Sequence, residues 1–171
     1  GLRRYAKATE RPGLAYAEEA EEIAHQLEPY KWYPQRAGRV DLVLQRARET
    51  GKINDPSIRQ EIAKLLTMSK STEWTARRAK DMGLPQGPEG SIGKLAASNV
   101  ARKAALVHTM LSGADAMLTG DDSPMDGVIA EILVSTPATS IAGGTDEIQK
   151  NIISERVLKL PKEARSDTDR P

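Results

Sequence analysis

An all-α bundle of four or five antiparallel helices is the fold class this sequence predicts, and three observations carry it. Apolar residues recur at spacings of three and four over long stretches, the period of one buried helix face. No run of alternating β-branched residues marks a strand, and no repeat at a fixed period marks a solenoid. Clusters rich in Pro and Gly separate the patterned stretches, as short helix–helix connections do.

The elements follow in chain order. Residues 14–27 and 40–47 carry helical patterns, separated by "EPYKWYPQRAG", a break or surface excursion. After "NDP", residues 57–82 place Ile58, Ile62, Leu65, Leu66, Met68 and Ala76 on one stripe. Asp55 suits the N-cap there and Pro56 the first helical position. "GLPQGPEG" ends that helix, and a second long core-facing pattern follows through Ile92, Leu95, Ala96, Val100, Ala104, Val107, Leu111 and Ala114. Beyond "TGDDSP" a shorter element covers residues 127–134. The stretch "STPATSIAGG" reads as a loop, and a last helix runs over 145–159. The bundle thus occupies 1–161, and "KEARSDTDRP", residues 162–171, reads as a disordered polar tail.

Composition narrows the class without naming a partner. The 171 residues suffice for one domain with a sizeable core, and a formal charge of +1 gives no sign of nucleic-acid binding. No apolar run approaches the roughly 20 residues that span a bilayer, and no signal-peptide pattern opens the chain, so it reads as soluble and not secreted. There is no Cys and there are only two His, which removes thiolate chemistry and makes a metal site unexpected. His25 and His108 are expected to be packed or hydrogen-bonded, and Tyr30, Trp32, Tyr33 and Trp74 to serve core or interface packing.

The stretch "AGGTDEIQKNIISERVLKLP" joins a glycine pair directly to a helix. Thr145 can cap that helix through its hydroxyl, and Asp146 and Glu147 place negative charge in its first turn, where the helix dipole favours it. On spacing alone the pair is either a tight turn or a surface whose backbone a ligand approaches closely.

The same stretch resembles the C-terminal signature of the acyl-CoA dehydrogenase family, in which a Gly-Gly-Thr or Glu-Gly-Thr turn leads into "xEIQxNIIAERVLGLP". Upstream, "RARETGKINDPSIRQEIAKLLT" is similar to the family's Gly-x-x-x-Asp-Pro helix start. "GPEGSIGKLAASNVARKAALVHTMLSGADAML" resembles the helix that ends at its flavin-side loop. The resemblance covers residues 40–161, with residues 1–35 only weakly matched. It implies the C-terminal helical-bundle domain of an FAD-dependent enzyme whose family architecture also includes an N-terminal helical domain and a middle β domain. It further implies α,β-dehydrogenation of an acyl-CoA thioester, an electron-transfer flavoprotein or similar acceptor, a homo- or heterotetramer, and a cytoplasmic or mitochondrial-matrix setting. Apolar Ile152, Ile153, Val157 and Leu158 occupy more than one face of the last helix, as such assembly needs.

Site residues follow from the resemblance position by position. Many family members carry the catalytic base as the Glu of Glu-Gly-Thr, and that position here is Gly143. A smaller group places its glutamate within a Glu-Arg pair on the first helix of this domain, which points to Glu10 in "KATERPG" as the base. Gly144 matches the residue whose backbone touches substrate. Thr145, Asp146 and Glu147 match the stretch that approaches FAD, and Gly113 of "LSGAD" matches the loop that meets a neighbouring subunit's flavin. The family's "RxxFG" contact has no clear counterpart beyond Arg36 or Arg39. Three classes of function stay open: a catalytic domain working through Glu10, a non-catalytic partner subunit of a heteromeric dehydrogenase, and a helical interaction module.

Overall fold

The central α-helix is apolar on two faces, and the other helices are arranged to cover both. The computed structural model describes residues 38–83, 87–120 and 122–162, which belong to one unit spanning Pro34–Pro171. Five α-helices occur among them, and no strand: α1 (Val40–Glu49), α2 (Pro56–Asp81), α3 (Glu89–Ser112), α4 (Val128–Thr139) and α5 (Asp146–Ile152). The expected helix over 14–27, His25, the aromatics between 30 and 33, and residues 163–171 of the tail lie outside the described residues.

The expected caps form. Asp55 Oδ1 accepts the amides of Ser57 at 2.8 Å and Ile58 at 3.2 Å, and Pro56 opens α2 where its missing N–H would have had no partner. α2 and α3 run antiparallel. Ile58 shares a cluster with Leu111, whereas Thr72 and Thr75 line a groove with Ile92 and Gly93. An ion pair of Glu61 with Lys103 joins the two helices. The hydrogen bond from Lys103, then that from Lys64, holds the Glu61 carboxyl down at about 2.

Two clusters make the core. Val43, Ala47, Ile58, Ile62, Leu65, Ala104, Val107 and Leu111 join α1, α2 and α3. Ala105, Ala116, Ile129 and Ile132 join the other face of α3 to α4. The neighbours Ala104 and Ala105 therefore enter different clusters, and their small size lets helices approach α3 from both sides.

Four details differ from the sequence expectation. The stripe on α2 is buried only through Leu65; Leu66 and Met68 are half-buried, and Ala76 and Trp74 are exposed, because the second half of α2 has no fully buried residue. Trp74 is thus not a core residue. Ala114, placed on the α3 stripe, is exposed beyond the helix end. α4 continues through Pro137, inside the stretch expected to be loop. Proline this near a helix end removes a single hydrogen bond, and the hydroxyls of Thr136 and Thr139 bond the carbonyls of Ile132 and Thr136 at 2.6 and 2.7 Å. Finally, α5 gives way after Ile152 to one wide turn, Ile153–Val157, with Leu158 N–H bonded to the Ile153 carbonyl, and Lys159 at φ 58° closes it.

His108 is fully buried, and its Nε2 lies 3.1 Å from the carbonyl of Arg39, the left-handed residue that opens α1. Nε2 must donate there, which leaves Nδ1 as a bare acceptor without a partner among the described residues. Burial pushes the imidazole pKa below its usual value against the opposing pull of the Arg39 and Gly38 carbonyls and Asp41, while Arg46 adds to the lowering. Neutral His108 is thus the folded form, and below pH ~6.5 the unfolded chain gains a proton that the folded chain resists. Stability should therefore fall by up to ~1.4 kcal/mol per pH unit below ~6.5 from this group alone. Urea midpoints measured between pH 7.5 and 5.5 should show that slope and flatten in His108→Gln, whose amide keeps a donor near Arg39.

Candidate functional site

The loop between α4 and α5 is short and closed on itself. Asp146 N–H donates to the Ser140 carbonyl at 3.0 Å, which draws residues 140–146 into a ring. Gly143 and Gly144 inside it take φ of 70° and 95°, conformations that a residue with a Cβ adopts only at a cost. Gln149, buried on the first turns of α5, donates from Nε2 to the carbonyls of Gly143 at 2.9 Å and Gly144 at 3.5 Å. Thr145 caps α5 as expected, its Oγ1 accepting the Ile148 amide at 3.3 Å. Among the described residues the amides of Gly143, Gly144 and Thr145 have no acceptor. Consecutive unpaired N–H groups around left-handed glycines form a concave donor surface for an anion or a carbonyl oxygen.

Asp146 does not point to that surface. Its side chain is 4% exposed and takes Lys94 Nζ at 2.9 Å and Arg102 Nη1 at 2.6 Å, and the Ser98 hydroxyl lies 2.9 and 2.8 Å from its two oxygens. Burial by itself would raise the carboxyl pKa, and the hydrogen bonds from Lys94, Ser98 and Arg102 outweigh it, holding the group far below the usual carboxylate range. A depressed pKa means that its contribution to stability is complete above the unfolded value of ~3.9 and is lost only as pH falls well below that.

The remaining candidates are more scattered. Glu147 is exposed, 4.0 Å from Lys150. Gly113 sits at the C-terminal end of α3 with φ 64°, its amide bonded to the Thr109 carbonyl. It follows Arg102 by eleven residues of sequence, about 16 Å along the helix axis. The loop and Gly113 are therefore separate surfaces of this chain. Glu10 lies outside the described residues. Sequence reasoning missed Lys94, Ser98, Arg102 and Gln149. The first three stand at i, i+4 and i+8, a polar row along one face of α3, and that period was the available signal.

FAD carries a pyrophosphate, so a site for it needs free cations beside unpaired amides. Here Lys94 and Arg102 are both taken up by Asp146, and Glu147 adds a negative charge. The described residues do not fit a flavin phosphate site by themselves; the unpaired amides and the Thr145 hydroxyl suit an edge contact only. Among the described residues no group of acidic or histidine side chains could hold a metal, and no helix is long and apolar enough to cross a membrane. A separate groove of about 820 Å³ between the C-terminal half of α2 and the start of α3 shares no residue with the loop or its anchors.

The two glycines differ in a way that mutation can read. A Cβ added at Gly143 meets nothing within 4 Å, whereas one at Gly144 lies 2.8 Å from Gln149 Nε2. Gly143→Ala should cost about 1–2 kcal/mol in urea unfolding, the price of left-handed backbone alone. Gly144→Ala should cost more, because Gln149 must also leave its carbonyl partners. Equal losses would mean that Gln149 moves freely.

Comparison with known proteins bears on this geometry. The profile for "Acyl-CoA dehydrogenase, C-terminal domain" matches residues 36–158. The chain is similar to acyl-CoA dehydrogenase IpdE1 of Mycobacterium tuberculosis, 31% identical over 72% of this chain and 32% of the relative. It is likewise similar to acyl-CoA dehydrogenase IpdE1 of Mycolicibacterium smegmatis, 32% identical over 72% of this chain and 30% of the relative. The chain thus spans about a third of the length of these curated relatives. Both are mycobacterial, which gives no support to the mitochondrial alternative. In fold it is similar to a chain in the crystal structure of the ChsE4–ChsE5 complex from Mycobacterium tuberculosis, with a TM-score of 0.61 and 17% identity over 71% of this chain and 36% of that one. Its helical fold and the profile match over residues 36–158 show that this chain belongs to the acyl-CoA dehydrogenase family, through the family's C-terminal domain.

Proposed function

We propose that this chain is the C-terminal helical domain of an FAD-dependent acyl-CoA dehydrogenase that performs α,β-dehydrogenation of an acyl-CoA thioester in the cytoplasm. An electron-transfer flavoprotein or similar protein serves as acceptor. The observation that carries the reading is the 140–146 loop, whose unpaired Gly143, Gly144 and Thr145 amides lie where the family signature begins. In this reading the Gly144 backbone meets the thioester end of the substrate, donating to an oxygen that gains charge as the α proton leaves. Gly113, Thr145 and Glu147 make edge contacts to FAD, Asp146 supports that edge from beneath, and the cofactor's phosphates are bound by other parts of the assembly.

The α proton needs a carboxylate, and Gly143 cannot supply one. Glu10 takes the role in the first form of this proposal. A second form, in which the chain is a non-catalytic partner and another subunit carries the base, takes at face value the missing glutamate at Gly143 and the single glycine, Gly113, in the flavin-side loop. The fold neighbour comes from a complex named for two proteins, which suits such a heteromer. Glu10→Gln in the FAD-loaded holoenzyme should leave flavin binding intact and slow flavin bleaching by acyl-CoA by about 10²–10⁴-fold, with Glu19→Gln, in the acidic run of the helical pattern expected over 14–27, as the control. Gly143→Glu should restore part of the rate, since its side chain starts into open space. Bleaching at the unmutated rate in Glu10→Gln selects the partner-subunit form.

Assembly rests on α4. Val134 is 82% exposed, Ile141 is 65% exposed, and Pro137 between them is also exposed, so an apolar stripe faces outward. On the last helical stretch Ile152, Ile153 and Val157 are half-buried and Leu158 is exposed. We assign these surfaces to a homo- or heterotetramer. Sedimentation of the holoenzyme at micromolar concentration should give the tetramer mass, and Val134→Asp should shift it toward smaller species; a monomer would overturn the assignment.

A further inference from the structure

The loop that bears Gly143 and Gly144 is held at both ends by the same side chains of α3. At its start, Ser140 Oγ accepts from Arg102 Nη1 at 2.7 Å and lies 3.1 Å from Ser98 Oγ. At its end, the Asp146 carboxylate receives Lys94, Ser98 and Arg102. Ser98 and Arg102 thus bridge residues that are six apart in sequence, and the Asp146 amide bonded to the Ser140 carbonyl completes the closure. Between these ends buried Gln149 reaches only the Gly143 and Gly144 carbonyls, while Ile141, Ala142 and Gly143 are exposed and Gly143 has open space about it.

Glycines are the residues least able to keep one conformation unaided, since they populate both signs of φ. A donor surface built on two of them needs an external restraint if it is to be formed before a ligand arrives, and binding is weakened by whatever ordering remains to be done. Three side chains of α3 meeting at the buried Asp146 carboxylate supply that restraint beside Gln149, and they do so from the helix on which the whole fold is centred. We infer that Lys94, Ser98, Arg102 and Asp146 are positioning residues that hold the Gly143–Gly144 loop in its donor-presenting form, so that ligand affinity at the loop is set from α3. The ligand part rests on the reading given under Proposed function; the restraint itself does not.

Hydrogen exchange of the 140–149 segment, followed in the holoenzyme beside octanoyl-CoA affinity, separates the two. Lys94→Met and Ser98→Ala should each raise exchange in that segment by about tenfold while α2 amides near Leu65 keep their rates. Lys94→Arg, which keeps the charge, should restore slow exchange. Asp146→Asn should give the largest effect if it folds; the two milder variants decide the matter if it does not. Octanoyl-CoA should bind about tenfold more weakly wherever exchange rises. Exchange within about twofold of the unmutated protein in both milder variants overturns the inference, as does raised exchange with unchanged affinity. Failure of the unmutated holoenzyme to bind octanoyl-CoA counts against the function instead, and exchange alone then tests the restraint.

Discussion

α3 has to satisfy neighbours on nearly every side, and the arrangement of the other helices follows from that demand. Its Ala104, Val107 and Leu111 close one cluster with α1 and α2, while Ala105 closes another with α4. Its polar row of Lys94, Ser98 and Arg102 takes the end of the α4–α5 loop. A helix buried on two faces cannot rotate to improve one contact without opening the other, because close-packed interiors leave no slack. Small residues at the crossings make this possible: a Cβ on Gly38 would fall 2.8 Å from the Ala104 Cβ and from the Ala101 carbonyl, so the chain ahead of α1 comes within backbone distance of α3.

Buried polar side chains among the described residues are mostly paired, the Ser135 hydroxyl being one that is not. The Asp146 carboxylate is enclosed with donors on both oxygens, as a buried charge must be to be tolerated. His108 is a partial exception, with one nitrogen bonded and the other bare. Both groups sit where chain direction is decided. His108 receives the backbone as it turns into α1, and Asp146 receives it as it turns into α5. Backbone at such points leaves its own ladder and needs partners from elsewhere, which is why the polar side chains of the bundle gather there.

Reading the loop as a ligand surface joins these observations to chemistry. Left-handed glycines release amides from local pairing, and a buried anion at the end of the ring holds it closed. The division of labour resembles that of a binding loop on a rigid scaffold, where the residues that hold the geometry are distinct from those that touch the ligand.

Helix existence was legible from sequence because it depends on local period and local chemistry. The stripe Ile58, Ile62, Leu65, the Asp55–Pro56 start and the Thr145 cap are all satisfied within a few residues of where they stand. The family signature at the loop was legible for the same reason, being continuous in the chain. What could not be read was where each stripe would find a partner. Trp74 and Ala76 continue the pattern of α2 and are exposed, since only the first half of that helix lies against fully packed neighbours. The role of Asp146 was equally hidden: in sequence it is a first-turn acid beside Glu147, and only the approach of a helix from 44 to 52 positions earlier distinguishes the enclosed carboxylate from the exposed one. Sequence by itself determined the helices and the family, because those follow from periodicity and short-range capping. Tertiary structure alone decided which charges are buried, because burial depends on segments that meet only after folding.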